Sequence, residues 1–212
     1  MHERALVTCD LDGVLIDSRS QVIESWSRTC DEMGIWPGVD ISSKIGLPLE
    51  EILRSENSLE ADTIAEFCRL FRKFQDLNDH LEKCFSGSHE FLEKLRLASD
   101  CDVGFYSARP PERLDAALEK LGQAGARRYS AALPNYPKPD PRGLIALERD
   151  FGQSFACRLH IGDTGVDREA AVGAGFSFLG VSWGYGDSCE LGDMVASNMN
   201  SLYENVSAII SG

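Results

Sequence analysis

With 212 residues, 43% of them apolar and 26% charged, the chain has an ordinary soluble globular balance and is long enough for one large domain or two unequal ones. Its formal net charge of -13 argues against nucleic acid or an anionic membrane as the main partner, and a site for an anionic substrate would need local cations of its own. No apolar run is long enough to span a membrane, and Met1-His2-Glu3-Arg4 leads straight into a first apolar stretch, so neither an anchor nor a secretory leader is expected. Cysteines 9, 30, 68, 84, 101, 157 and 189 are odd in number, scattered and without a Cys-x-x-Cys pair. That pattern fits neither a disulfide framework nor a zinc site, and it predicts small buried thiols in a reducing cytoplasm.

The run Ala5-Leu6-Val7-Thr8-Cys9 is too short for a helix and reads as a buried strand. It ends in Asp10-Leu11-Asp12-Gly13. Extended backbone at Leu11 would point both carboxylates to one side, and two close like charges need a cation or a shared proton. Strand ends of this kind are where open α/β sheets bind ligands. One carboxylate can then serve as nucleophile and the other as general acid/base beside a metal. The alternative is a solvated Asp-x-Asp-Gly turn.

Asp17 or Ser18 can cap a helix through Val22, Ile23, Trp26, Cys30 and Met33, ended by Gly34 and Pro37-Gly38. Lys44-Ile45-Gly46-Leu47-Pro48 reads as a turn into a short helix from Leu49 to about Ser55. A longer helix carries Ile64, Phe67, Cys68, Leu70, Phe71, Phe74 and Leu77 as one broad apolar stripe. Residues 17–86 are therefore expected to form an inserted helical cap, with 1–16 and 87–212 as an α/β core.

Ser88 is the expected cap of a helix carrying Phe91, Leu92, Leu95 and Leu97, and Asp100-Cys101-Asp102 reads as a turn. Val103–Tyr106 is the second strand, ending at Ser107-Ala108-Arg109, and Pro110-Pro111 opens a helix through Leu114, Leu118 and Leu121. Tyr129–Leu133 reads as a short third strand, and the proline-rich stretch 134–141 as a loop that presents Lys138. A helix with Leu144, Ile145 and Leu147, a strand at 158–161, a strand at 176–181, a short helix near 190–194 and a closing amphipathic helix over 200–210 complete the pattern. This alternation predicts a Rossmann-like three-layer α/β fold around a parallel sheet.

In such a fold the strand ends line up Asp10, Asp12, Ser107, Lys138 and the acids of Gly162-Asp163-Thr164-Gly165-Val166-Asp167. Each has a plain structural alternative: a cap for Ser107, solvation for Lys138, helix N-terminal acids for the last stretch. Together, oxygen donors and one lysine suit a hard cation such as Mg²⁺ and a phosphoryl group, whose transfer depends on positioning and charge neutralisation.

Asp10-x-Asp12-Gly13-Val14, Ser107, Lys138-Pro139 and Gly162-Asp163-x-x-x-Asp167 resemble the four ordered motifs of the haloacid dehalogenase-like superfamily, across essentially the whole chain. Gly13-Val14-Leu15-Ile16-Asp17-Ser18 is similar to members with a small helical cap. Ile45-Gly46-Leu47-Pro48-Leu49 and Gly180–Gly186 resemble the phosphoglycolate phosphatase branch. The resemblance implies Asp10 as the nucleophile of an aspartyl-phosphate and Asp12 as acid/base. It implies Ser107 and Lys138 as phosphoryl binders, and Mg²⁺ held by Asp10, the Asp12 backbone carbonyl and Asp163. Asp167 would assist the metal or orient Lys138. Asp12 speaks against the dehalogenase and phosphonatase branches, which lack a carboxylate there. The chain departs from the family at Cys9, where phenylalanine is common, and at Ser107-Ala108-Arg109, which lacks the usual asparagine. The Ala108 backbone amide and Arg109 are then candidate phosphate or leaving-group contacts. The expected activity is Mg²⁺-dependent hydrolysis of a small-molecule phosphate ester, phosphoglycolate-like or a sugar phosphate. The rivals are a sugar phosphomutase of the same fold and a non-catalytic phosphometabolite-binding protein; the oligomeric state is open.

Overall fold

The structure, a computed structural model, describes residues 4–56, 59–98, 100–132 and 135–211. The start of the chain at Met1–Glu3, the Leu133 end of the third expected strand and Pro134 of the loop after it lie outside those residues. The core is a six-stranded sheet in the order β5-β4-β1-β6-β7-β8, with every neighbouring pair parallel. Its strands are β1 (Ala5–Cys9), β4 (Cys101–Ser107), β5 (Arg128–Ser130), β6 (Cys157–Gly162), β7 (Ser177–Val181) and β8 (Val195–Ala196). A separate two-stranded ribbon pairs β2 (Ile16–Asp17) antiparallel with β3 (Lys83–Cys84).

Helices cover both faces, and the alternation along β1 decides which side chain meets which layer. Val7, Cys9 and Leu11 pack with α4 (Ser88–Leu97), α5 (Pro111–Lys120) and α8 (Met199–Ser211) through Leu92, Leu118 and Leu202. Leu6 faces the other layer, α6 (Arg142–Asp150) and α7 (Gly165–Ala174), through Leu144 and Ala170. Cys9 thus packs away from the side on which Asp10 emerges, as its strand position predicts. The three-layer α/β fold expected from the alternation of elements is the one observed. The order places β1 between β4 and β6, the point where chain connections leave in opposite directions and where such sheets open a crevice.

Between β2 and β3 lie α1 (Arg19–Met33), α2 (Leu49–Glu56) and α3 (Ala61–Leu77). They bury a third apolar cluster around Trp26, Ile45, Leu53, Phe67 and Phe71. Gly34, with φ 64°, closes α1 in the left-handed conformation that glycine adopts without a steric penalty.

Several expectations change. Cys101 and Asp102 are strand, not turn: Ala5 and Leu6 extend the β1 pairing to them, and Arg4 holds Asp102 through Nε at 2.8 Å. Ser88 is the first residue inside α4 instead of its cap, and its hydroxyl donates to the Leu15 carbonyl at 2.9 Å. The third strand ends at Ser130, so the described residues after it are loop. The expected short helix near 190–194 is a 3-10 turn over Ser188–Glu190, followed by the unforeseen edge strand β8. Ile23, Leu77 and Leu97, placed on apolar stripes by spacing, are exposed at the stripe margins. Four cysteines are buried, Cys84 and Cys157 are half-buried, and Cys189 is exposed; all seven are free thiols.

Candidate active site

The sheet delivers two groups of charged side chains to its strand ends. The first contains Asp10, one residue beyond β1, and Asp163, one residue beyond β6; its third acid, Asp167, stands in the first turn of α7. One oxygen from each of these three carboxylates lies within 4.8 Å of the others, and all three residues are buried. Lys138, from the proline-framed loop, reaches Asp10 Oδ1 at 2.9 Å and Asp167 Oδ1 at 2.6 Å.

Local structure fixes each acid. Thr164 caps α7, its hydroxyl accepting from the Asp167 backbone N–H at 3.3 Å. Asp167 Oδ2 accepts the Thr164 N–H at 3.2 Å in return, a reciprocal capping box that leaves Oδ1 for Lys138. Asp163 Oδ2 accepts the backbone N–H of Tyr185 at 2.6 Å. Gly13 and Gly184 bracket that carboxylate so closely that a Cβ would sit 2.1 Å from Asp163 Oδ2 at position 13 and 2.2 Å from Asp163 Cβ at position 184. Gly13 also needs φ 79°, which bars most side chains by itself.

One ammonium among three buried carboxylates leaves the group short of positive charge. Burial pushes the Asp10 carboxyl up, against the pull of Lys138, to about 7, with Asp167 and Asp12 adding to the rise. Burial likewise raises Asp163 well above the usual carboxylate range, and Asp167 and Asp10 raise it further. Asp167 goes the other way: burial opposes its ionisation, but Lys138 and His160 together hold it below the usual range. An oxygen-rich, acid-heavy cluster of this kind fits a hard divalent cation, which Asp10, Asp163 and Asp167 could hold.

The second group surrounds Asp12. Its side chain lies outside the three-acid cluster. Arg109 donates to it from Nε at 2.8 Å and Nη2 at 2.7 Å, and Ser18 Oγ donates to Oδ1. Burial opposes ionisation of Asp12, yet Arg109 and Ser18 outweigh it and hold the carboxyl below its usual range. Ser18 is thus at the N-cap position of α1, but its hydroxyl is turned to Asp12 instead of the helix. Ser107 ends β4 fully buried, its hydroxyl accepting from the Arg109 N–H at 3.3 Å. A cavity of about 160 Å³ opens beside Asp12, Ala108 and Arg109, with Val22, Ile45 and Phe71 of the inserted helices on its far wall.

All the expected site residues therefore come together, divided between these two groups. Three neighbours carried no local signal. His160, buried on β6, meets Thr8 Oγ1 at 2.9 Å through Nδ1 and faces Asp167 Oδ1 at 3.6 Å through Nε2. Glu82, just before β3, accepts from Arg109 Nη2 at 2.8 Å. Tyr185 joins the Asp163 loop to the ribbon: its hydroxyl accepts the Ser18 N–H at 2.8 Å and donates to Asp17 Oδ1 at 3.2 Å. The glycine-rich stretch 180–186 pointed to that loop, but not to the contact with Asp163.

Known proteins bear on this geometry. The chain is 28% identical over 179 residues to pyrophosphatase PpaX of Bacillus velezensis, covering 82% of this chain and 81% of that protein. It is 26% identical over 202 residues to a phosphoglycolate phosphatase of Mesorhizobium japonicum, covering 87% and 85%. A crystal structure described as a predicted phosphatase from Clostridium acetobutylicum superposes with a TM-score of 0.84 over 97% of this chain and 99% of that one; at 18% identity the likeness concerns the fold alone. The family model for haloacid dehalogenase-like hydrolases matches residues 7–181, a span from within β1 to the end of β7 that includes every acid and base of the two groups at the strand ends. By that match, the chain belongs to the haloacid dehalogenase-like hydrolase family.

Proposed function

We propose that this protein is a Mg²⁺-dependent phosphatase that hydrolyses a small-molecule phosphate monoester through an aspartyl-phosphate on Asp10. The observation that carries this reading is the cluster of three buried carboxylates served by the single ammonium of Lys138, with a fourth carboxylate, Asp12, at the mouth of a cavity. The phosphatase names of relatives that match most of the chain agree with it.

An Asp10 oxygen attacks phosphorus while the bond from phosphorus to the ester oxygen breaks, and Asp12 gives its proton to that leaving oxygen. The incoming phosphoryl group brings negative charge toward Asp12 and raises its proton affinity for this step. Asp12 then takes a proton from water as that water attacks phosphorus, the bond to Asp10 breaks and phosphate departs. Lys138, the Ser107 hydroxyl and the Ala108 backbone amide hold the non-bridging oxygens, and Arg109 lies beside them as a further phosphate or leaving-group contact. Asp10, Asp163 and Asp167, with the Asp12 carbonyl, would hold Mg²⁺, which supplies the positive charge the cluster lacks and orients the phosphoryl group.

Residues 17–86 act as a cap over a core made of 1–16 and 87–212. Their separate apolar cluster and the β2–β3 ribbon that joins them to the sheet support this division. The cap excludes water from the strand ends and shapes the room for the leaving group. A cavity of about 160 Å³ has space for a glycolate- or sugar-sized group. The seven free thiols suit a reducing cytoplasm, and no described helix is long and apolar enough to cross a membrane.

The test is phosphate release from a panel of esters with Mg²⁺, including phosphoglycolate, sugar phosphates and nucleotides, by the wild type and by Asp10→Asn. Release by the wild type that vanishes in a folded Asp10→Asn supports the reading. Absence of release from every ester, or near-normal release by the variant, overturns it.

A further inference from the structure

Glu82 is a buried carboxylate that touches none of the reacting atoms, yet three cations converge on it. Arg109 Nη2 donates to Oε2 at 2.8 Å, Arg113 Nη2 stands 3.7 Å from the same oxygen, and Lys120 Nζ donates to Oε1 at 3.0 Å. Its side chain is 2% exposed. The Arg109 nitrogen that reaches Glu82 is also the one that reaches Asp12 Oδ1, while Nε of the same guanidinium takes Asp12 Oδ2. A planar guanidinium bound along one edge to a carboxylate fixes the plane of that carboxylate only as firmly as its own plane is fixed. Here Glu82 supplies the anchor beyond the shared edge. The Arg109 main chain is tied as well, its carbonyl accepting from Ser130 Oγ at 2.6 Å.

Position in the chain adds a second consideration. Ser18 follows β2, the strand that enters the helical insertion, and Glu82 precedes β3, the strand that leaves it. Both end on Asp12, Ser18 directly and Glu82 through Arg109. The two connections to the insertion therefore hold the same carboxylate from two sides.

We propose that Glu82 is a positioning residue, which acts through Arg109 to hold the Asp12 carboxylate where it serves the leaving-group oxygen. The inference rests on the phosphatase reading above and on Asp12 as its proton donor. Loss of Glu82 leaves the Arg109–Asp12 pair in place but frees it to slide and rotate. A misplaced proton donor matters only when the leaving group needs the proton. An alkoxide does; a nitrophenolate leaves without one.

The experiment compares kcat/KM for glycerol phosphate and for p-nitrophenyl phosphate, with Mg²⁺, in the wild type, Asp12→Ala, Glu82→Leu and Glu82→Gln. The ratio of the two esters within one enzyme is independent of how much of that enzyme is folded. In Asp12→Ala the ratio of alkyl to aryl ester should fall most. Glu82→Leu, which has no acceptor for Arg109, should lower it by about tenfold, within the range of a displaced acid/base group. Glu82→Gln keeps one acceptor oxygen and should lower it by only about two- to threefold, on the scale of a weakened hydrogen bond; it serves alone if the leucine variant does not fold. A ratio unchanged in both Glu82 variants, alongside a fallen ratio in Asp12→Ala, overturns the role of Glu82. An unchanged ratio in Asp12→Ala removes Asp12 as proton donor and the inference with it. No release of phosphate from either ester by the wild type instead overturns the phosphatase reading, on which both depend.

Discussion

The two charged groups at the strand ends are neighbours in the chain and opposites in charge balance. Around Asp10, three buried carboxylates share one ammonium, and two of the three are pushed toward neutrality. Around Asp12, two carboxylates face Arg109, with Arg113 and Lys120 behind, and Asp12 is held firmly ionised. The first of these groups lacks positive charge, while the second has its counterions within the chain. Two aspartates separated by one leucine are thus pushed in opposite directions by their surroundings, Asp10 toward the neutral form and Asp12 toward the charged one.

The difference can be broken most severely at Lys138. Replacing it by methionine removes the ammonium bound to both Asp10 and Asp167 and should cost about 3–5 kcal/mol of stability, as uncompensated buried charge does, together with turnover. Urea unfolding measures the loss, and a cost below about 1 kcal/mol would mean the cluster does not need its ammonium. Asp163→Asn should act in the opposite sense. By removing one of the crowded charges it should stabilise the metal-free protein on the order of 1–3 kcal/mol at pH 8 while abolishing the stabilisation given by Mg²⁺. Thermal melts in chelator and in Mg²⁺ read both effects, and a variant that still gains from Mg²⁺ as the wild type does would place the ion elsewhere.

The pH dependence sharpens the same contrast. Asp10, raised to about 7, and Asp163, raised well above its usual value, favour folding while protonated; that contribution is full below about pH 4 and is lost as the pH climbs through the folded values. A divalent cation requires the ionised forms, so Mg²⁺ should raise Tm more at pH 8 than at pH 5. Equal gains at the two values would contradict the assignment. Ser18→Ala, in the balanced group, should have the smallest effect, about 1.5 kcal/mol for one hydrogen bond to a charged acceptor, because Arg109 still grips Asp12.

The legible parts of the molecule were those whose physics is local. A short apolar run that ends in Asp-x-Asp-Gly announces a buried strand with two acids at its tip, and the stripe from Ile64 to Phe74 announces a packed helix. The acids at 163 and 167 were legible as the start of a helix after the fourth strand, but the capping box that Thr164 and Asp167 form there was not foreseen. β2, β3 and β8 were not, since strands of two residues carry no periodicity. Nor was the setting of Asp12. Its partner Arg109 is 97 residues away and Glu82 lies 27 residues before Arg109, so no spacing rule connects them. Ser18 was one of two expected caps, with Asp17, because nothing local distinguishes a serine that bonds a helix from one that turns to a neighbouring carboxylate.

The most direct test of Asp10 as the phosphorylated residue is mass spectrometry of acid-quenched Asp12→Ala after reaction with p-nitrophenyl phosphate and Mg²⁺. This ester spares the leaving group its need for a proton, while the missing carboxylate slows attack by water, so the phosphoenzyme should accumulate. The account predicts one phosphoryl group on the peptide containing Asp10, labile to hydroxylamine and absent from Asp10→Asn. Turnover with no such adduct, or an adduct on another residue, would contradict it.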